Sequence, residues 1–584
     1  MRLEEYWGIG PKTASTLESA IGTEEAVRAI ETGDLRTLVD AGVPSGRATR
    51  ILRRATGGRG LTVLATGDSR ATYRALLEHV RSFAVNQRAD DRIRLLTPLL
   101  DPEAIESRQD RVESARATWR PLDEETRAAI LSAFDRHADA DSRLAALGIA
   151  GELVGLELES GLFAPLADLD AGELRTLADA VAAASDAGIA AGVDDELDTL
   201  RADNETLESL LANPDRVIER IRSDSIAGSD EFRESFVEMV VGETSYGRSH
   251  VRELAATDAA DARDFVARSL RSLSADRADA IDERRTSIEA DVQGTIEAGS
   301  ETIAETVSLV EELGQWISIA RFAEHFDLVR PTIDPDRRGV GVRSARNLTL
   351  LTADEPVQPI TYGVGDHAID GPPAGDRVTV LTGANSGGKT TLLETLCQVA
   401  ILAQMGLPVP AAGATTTVFE SIVFHRRHAS FNAGVLESTL RTIVPPVAAG
   451  GRTLMLVDEF EAITEPGSAA DLLHGLVTMT VDREACGVYV THLAEDLKPL
   501  PRPARIDGIF AEGLTDDRRL DVDYQPRFGE LGRSTPEFIV ARLVAETDDR
   551  TTRAAYESLA ADLGRPVLQR TLTDPAWGSA TTDR

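Results

Sequence analysis

Eight consecutive residues carry the strongest chemical signal in the chain: Gly383-Ala384-Asn385-Ser386-Gly387-Gly388-Lys389-Thr390. Glycines at the first and sixth places, followed by Lys-Thr, form a phosphate-loop pattern. Glycine lets backbone N–H groups turn toward phosphate oxygens, and a helix starting there adds positive potential. A β-like run, Val378-Thr379-Val380-Leu381, comes before it, and an apolar helical run from Thr390 through Leu396 comes after. In this context residues 383–390 are expected to bind ATP. Lys389 would hold the β- and γ-phosphates and Thr390 would bind Mg²⁺.

Leu454-Met455-Leu456-Val457-Asp458-Glu459 is an apolar strand ending in two acids, with Asp458 sixty-nine residues after Lys389. Asp458 is expected to bind Mg²⁺ through water. Glu459 is placed to orient or deprotonate the attacking water, a second catalytic role beside that of Lys389. The next strand ends in Thr491-His492, where His492 could sense the γ-phosphate or position the water. These parts in this order indicate a Mg²⁺-dependent ATPase of the ABC type. A kinase-like use of the loop lacks an evident acceptor-binding or lid segment. The nine histidines form no ligand-spaced cluster, so no other metal site is suggested.

A second group of residues points to a polyanion. Gly8-Ile9-Gly10-Pro11-Lys12-Thr13-Ala14 and Gly42-Val43-Pro44-Ser45-Gly46-Arg47-Ala48 are glycine turns entering helices, 34 residues apart. Such turns let backbone N–H groups approach a phosphate closely. They resemble paired helix-hairpin-helix motifs. The expected DNA contacts are Gly8, Gly10, Lys12, Gly42, Gly46, Arg47 and Arg50, with Arg53 and Arg54 following. Contacts of this kind go to the backbone, so they would not read sequence.

Charge supports this division. The chain has 584 residues, with 62 basic against 97 acidic, for a net charge of −35. Residues 1–60 hold nine basic and eight acidic residues, a net of +1, which leaves −36 on the remainder. Lysine occurs only at 12, 389 and 498, and arginine supplies the other basic residues. An acidic, lysine-poor surface suits a cytoplasm of very high salt, where the Debye length is only about 3 Å at 1 M. A halophilic source is therefore expected. Cys397 and Cys486 are the only cysteines, which excludes a disulfide scaffold or a cysteine-rich zinc protein. The acidic start, Met1-Arg2-Leu3-Glu4-Glu5, does not resemble a signal peptide. No apolar stretch reaches the roughly 18 residues of a membrane span. A soluble, cytoplasmic protein without membrane contact is expected.

The elements that must position these residues follow from pattern. Residues 1–60 read as an all-α hairpin module. Residues 61–330 read as a long helical core or lever domain, with helical periodicity clear at 169–186 and 275–320. Short β-like runs alternating with helices over 331–533 indicate an α/β phosphate-loop ATPase domain. A polar helix near 534–562 and a Thr-, Asp- and Ala-rich tail end the chain.

Several stretches resemble the MutS family of DNA-repair ATPases. Thr382 through Thr391 looks like that family's phosphate loop, and Gly406-Leu407-Pro408-Val409-Pro410-Ala411 is similar to the segment after its first helix. Leu96 through Ile105, with Arg108 and Val112, resembles the family's helical core, and Glu196-Leu197-Asp198 resembles a second piece of it. Residues 527–545 look like its closing helix-turn-helix, which assigns 534–584 to dimerisation. The resemblance spans about 85–580 and implies a homodimer with composite ATP sites.

The departures shape the function. The helical core is expected to begin near residue 85, so the family's mismatch-reading domain and its connector are not expected here. Phe236-Val237-Glu238 matches the mismatch-reading Phe-x-Glu pattern but lies in a helical region, where it reads as coincidence. No nuclease-like domain is expected after the ATPase. Asn432-Ala433-Gly434 and Glu461-Ala462-Ile463-Thr464 replace two runs that reach the partner's nucleotide in the family. The pattern is similar to short archaeal MutS-like proteins, which implies an ATPase binding duplex or branched DNA non-specifically. The alternatives are a mismatch-repair recognition protein, or a structural clamp that uses ATP mainly as a switch. Tyr362 is a candidate for stacking on adenine.

Overall fold

The computed structural model describes residues 3–563 apart from 139–141, 159, 185–188, 190–191, 223–227, 354, 384–387, 428–432, 464–465, 498, 515–519, 533–539, 541–542, 545 and 548. The chain forms two compact units. One contains 1–128, 160–162 and 311–584, and the other contains 129–159 and 163–310.

The second unit is helical. Its helices include Ala171–Ala183, Asp195–Ala212, Ser229–Glu243 and the 37-residue Ala262–Ala298. Asp170, Asp194 and Asp261 cap three of these helices by accepting from the backbone N–H three residues on. Part of the acidic composition is thus spent at helix starts, where a carboxylate satisfies an orphan donor and meets the positive end of the dipole. Leu207, Phe236, Val240, Val266 and Leu270 form the core. Phe236 is fully buried and packs edge-on against Phe265, with ring centroids 5.3 Å apart. It is a core residue and has no free ring to insert into a duplex.

The first unit opens with the helices Pro11–Ile21, Thr23–Thr32, Leu35–Asp40 and Ser45–Gly57. They close on a core of Leu17, Ile30, Leu38, Ile51 and Leu52. Helices Gly67–Arg81, Gln87–Arg94 and Pro102–Trp119 follow.

The strands of this unit are β1 (Thr332–Ile333), β2 (Gly339–Ala345), β3 (Ile360–Gly365), β4 (Val378–Gly383), β5 (Gly413–Thr416), β6 (Ser421–His425), β7 (Thr453–Asp458), β8 (Cys486–Val490), β9 (Ala504–Leu514) and β10 (Leu520–Phe528). They form a four-stranded sheet in the order β1-β5-β2-β3 and a six-stranded sheet in the order β10-β9-β4-β8-β7-β6. Five strands of the larger sheet are parallel, and β10 closes one edge antiparallel to β9. Strands β4 and β7 are buried at every position, as a parallel sheet covered on both faces requires. The C-terminal ends of β4, β7 and β8 lie side by side, and there the loops carrying the singled-out residues begin. Among the described residues no helix is long and apolar enough to cross a membrane.

Helix Lys389–Gln404 follows β4 and is almost wholly buried. Its last residue, Gln404, ties it to two other segments. The side-chain amide donates to Leu99 O at 3.2 Å and Phe419 O at 2.7 Å, and accepts from Phe419 N at 3.2 Å. Gln404→Leu keeps the volume and strands these backbone groups. It is expected to lower stability by about 3 kcal/mol, read from denaturant midpoints. An unchanged midpoint would show that these bonds contribute nothing.

Candidate nucleotide site

The end of β4 and the start of the helix after it are built around two glycines that accept no substitute. Gly383 has φ +131, and a Cβ there would lie 2.2 Å from Ile509 O. Gly388 has φ +70, and its Cβ would meet the Tyr524 ring at 2.7 Å. Ala384, Asn385, Ser386 and Gly387 lie outside the described residues. Lys389 is buried and donates from Nζ to Gly383 O at 2.9 Å. Burial pulls its pKa below the usual lysine value, while Glu459, Asp458 and Glu461 oppose that shift.

Thr390 joins the two sequence signals. Its Oγ1 donates to Asp458 Oδ2 at 2.6 Å, bringing together residues 68 positions apart. Asp458 is buried, and burial raises its pKa. Its other oxygen, Oδ1, is buried without a partner among the described residues. An unsatisfied anionic oxygen beside a threonine hydroxyl is the donor set that a hard cation such as Mg²⁺ takes. Residues Thr390 and Asp458 therefore fit the ion expected from sequence.

Glu459 stands one residue past β7 with φ +39, a left-handed backbone that costs a non-glycine residue on the order of 1–3 kcal/mol. Its N–H donates to Val490 O at 3.0 Å, which holds the kink. Both carboxylate oxygens are engaged. His492 Nε2 lies 3.1 Å from Oε1, and Arg427 donates to Oε2 at 2.6 Å. The His492 hydrogen bond, outweighing desolvation, holds the Glu459 pKa below the usual glutamate value, and Arg427 and Lys389 add to this. His492 is itself fixed from behind. Glu461 Oε1 accepts from the His492 backbone N–H at 2.6 Å and from Thr491 Oγ1 at 2.9 Å. Glu461, noted in the sequence only as a departure, thus orients the loop that carries His492.

A cavity of about 440 Å³ opens beside these groups, lined by Lys389, Thr390, Glu459, Asn347, Val357 and Tyr524 among others. Its apolar lining comes from Ala345, Leu350, Pro356, Val357 and Ile360, with the Tyr524 ring beside them. Asn347 is braced at the start of a short helix, donating to Thr395 Oγ1 at 3.2 Å. Tyr362 does not line the cavity. It is fully buried and donates to Asp507 Oδ2 at 3.0 Å. The aromatic at the cavity is Tyr524 on β10, 39% exposed and packed over Gly388. Neither Tyr524 nor Arg427 belongs to a spaced motif that would mark it in the sequence. A tyrosine flanked by polar residues on an edge strand was the one available hint.

The hairpin residues also come together. Arg47 donates to Gly8 O at 3.1 Å, tying the second turn to the first. Gly8 and Gly42 have φ of +84 and +92. Gly10 precedes the helix starting at Pro11, and Lys12, Gly46, Arg47 and Arg50 are exposed beside these turns. Arg50 donates to Gly46 O at 3.2 Å. Arg53 and Arg54 instead serve packing. Arg53 donates to Arg94 O at 2.7 Å and covers the Tyr73 ring, and Arg54 donates to Gly58 O.

No family model matches the chain. Similar proteins include the DNA-binding protein MutS2 of Pyrococcus furiosus, 43% identical over 243 residues, covering 41% of this chain and 42% of that protein. The Endonuclease MutS2 of Thermomicrobium roseum is 32% identical over 155 residues, 26% of this chain and 18% of its own length. The DNA mismatch repair protein MutS of Natronomonas pharaonis is 28% identical over 266 residues, 44% and 29% of the respective chains. The chain thus spans less than half the length of these relatives, and the likeness to proteins named MutS2 and MutS is partial in extent.

Proposed function

We propose that the chain is an ATP-hydrolysing, DNA-binding protein of the MutS type, dimeric and cytoplasmic, suited to high salt. The observation that carries the reading is the Thr390–Asp458 hydrogen bond at the cavity, with Lys389 and Glu459 on the same wall. The names of the relatives support DNA as the partner. In this reading residues 383–390 bind the triphosphate, with Lys389 on the β- and γ-oxygens, and Thr390 and Asp458 hold Mg²⁺. Bound Mg²⁺ would neutralise charge on the phosphates. Glu459 accepts the proton of the attacking water, and His492 keeps it ionised and aimed. Val357 and Tyr524 form the apolar walls for the base. Residues 1–60 grip DNA phosphates without reading sequence, 61–330 serve as core and lever, 331–533 as the ATPase and 534–584 as the dimerisation segment. The exposed Leu559 on helix Arg550–Leu563 supports the last assignment.

A second reading, ATP as a conformational switch with little turnover, is favoured by one observation. Arg427 and His492 each hydrogen-bond one oxygen of Glu459 and hold its pKa down, which weakens it as a proton acceptor.

Three measurements test these assignments. Lys389→Ala should abolish steady-state hydrolysis; persistent turnover would move the site elsewhere. Glu459→Gln should bind ATP normally and slow hydrolysis by about 100-fold or more, the typical contribution of a general base. Unaltered turnover would remove Glu459 from the chemistry. His492→Ala removes the bond that depresses the Glu459 pKa, so that pKa rises. The acid limb of the kcat–pH profile should then move to higher pH. An acid limb left in place would separate His492 from Glu459 ionisation.

A further inference from the structure

Among the described residues the large apolar side chain most open to solvent is Trp7, 60% exposed. Its position is fixed by its neighbours. Tyr6 is held by its hydroxyl, which donates to Glu31 Oε1 at 2.7 Å. Ile9 is buried in the hairpin-module core, and its N–H donates to Tyr6 O at 3.1 Å. Gly8 is pinned at φ +84, with its carbonyl accepting from Arg47. A backbone anchored on both sides therefore presents an indole to water, one residue before the first glycine turn.

Charge around this position is divided: Glu5 and Glu31 lie by Tyr6, and cations stand on the two glycine turns that follow. Lys12, Arg47 and Arg50 are exposed on the two turns. Residues 41–60 contain five arginines and no acidic residue, in a chain of net charge −35. The backbone N–H groups of Gly8 and Gly10 have no acceptor among the described residues. Phosphate donors beside an exposed aromatic form the two-part chemistry that binds unpaired nucleotides: cations and N–H groups take the backbone while the ring stacks on a base. A paired base inside a duplex keeps both faces stacked and offers the indole nothing. A base freed at a single-stranded overhang or branch does.

We propose that Trp7 is a base-stacking site that gives the hairpin module a preference for DNA carrying unpaired nucleotides. The proposal rests on the DNA-binding reading above and deepens it by naming the structural class of DNA. Phosphate contacts supply affinity for any duplex, and Trp7 adds a term available only where a base is free.

The test uses the full chain in high KCl with two competing probes, a blunt duplex and the same duplex bearing a single-stranded overhang. Wild type should bind the overhang more tightly, with stacking contributing on the order of ten-fold. Trp7→Ala should remove that advantage and leave blunt-duplex affinity unchanged, while Trp7→Phe should keep most of it. Lys12→Ala should weaken both probes alike. Overhang DNA should also quench tryptophan emission in the wild type and not in Trp7→Ala. Equal wild-type affinity for the two probes would overturn the stacking site, as would a Trp7→Ala loss shared by both or seen with neither. Failure of the wild type to bind either probe would instead refute the DNA-binding reading itself. Trp7 is on the surface and outside the nucleotide site, so unchanged basal ATPase in Trp7→Ala serves as the folding control.

Discussion

The site rests on a single constraint: a lysine and two carboxylates must be buried together at the C-terminal ends of interior strands of a sheet. Each alone would be costly to remove from water. Lys389 and Asp458 are both buried, and each has its pKa shifted toward its neutral form by that burial. The cluster is tolerable because the charges oppose one another and the hydrogen bonds are shared: Lys389 to Gly383, Thr390 to Asp458, and His492 and Arg427 to Glu459. That sharing is possible only if the ends of β4, β7 and β8 are adjacent. The β4–β8 and β7–β8 registers put Leu381 opposite Val490 and Asp458 opposite Val490. Strand order and charge placement are therefore one problem with one solution.

Much of this was legible in sequence because it is written locally. The Gly383 and Gly388 positions, the apolar run ending at Asp458 and the histidine after β8 all declare themselves by residue type and spacing. The strands at 378–381, 453–457 and 487–491 correspond to β4, β7 and β8 with end shifts of one or two residues. The helix starts at Pro11 and Ser45 are legible for the same reason, since a glycine- and proline-marked turn before a helical run has few alternatives. Pairings across long separations were not readable. Arg427 meets Glu459 across 32 positions, and Tyr524 covers Gly388 across 136, with no periodicity to mark either. Tyr362 departs from expectation because an aromatic in a strand near the loop has the same sequence signature whether it faces a cavity or a buried Arg505–Asp507 pair. Only the pleat decides that.

The way residues 64–68 join the sheet was also invisible to pattern, and it governs how the hairpin module is attached. Leu64 bridges in parallel to Ile422 on β6, which extends the edge of the sheet. Ala65 N donates to Ile422 O at 3.1 Å, and the Thr66 hydroxyl both donates to Phe424 O and accepts from Phe424 N. Asp68 then accepts from Arg426 N at 2.9 Å. These bonds run from the end of the hairpin module, along β6, to the residue next to Arg427. A backbone held in a strand ladder has little freedom to absorb displacement, unlike a flexible linker. The segment after the hairpin module therefore cannot shift relative to β6 without breaking several buried hydrogen bonds at once. Arg427, the next residue along, is 54% exposed at its side chain and holds one oxygen of Glu459. The stiff part of the connection thus ends at the more solvent-accessible of the two ion pairs on Glu459.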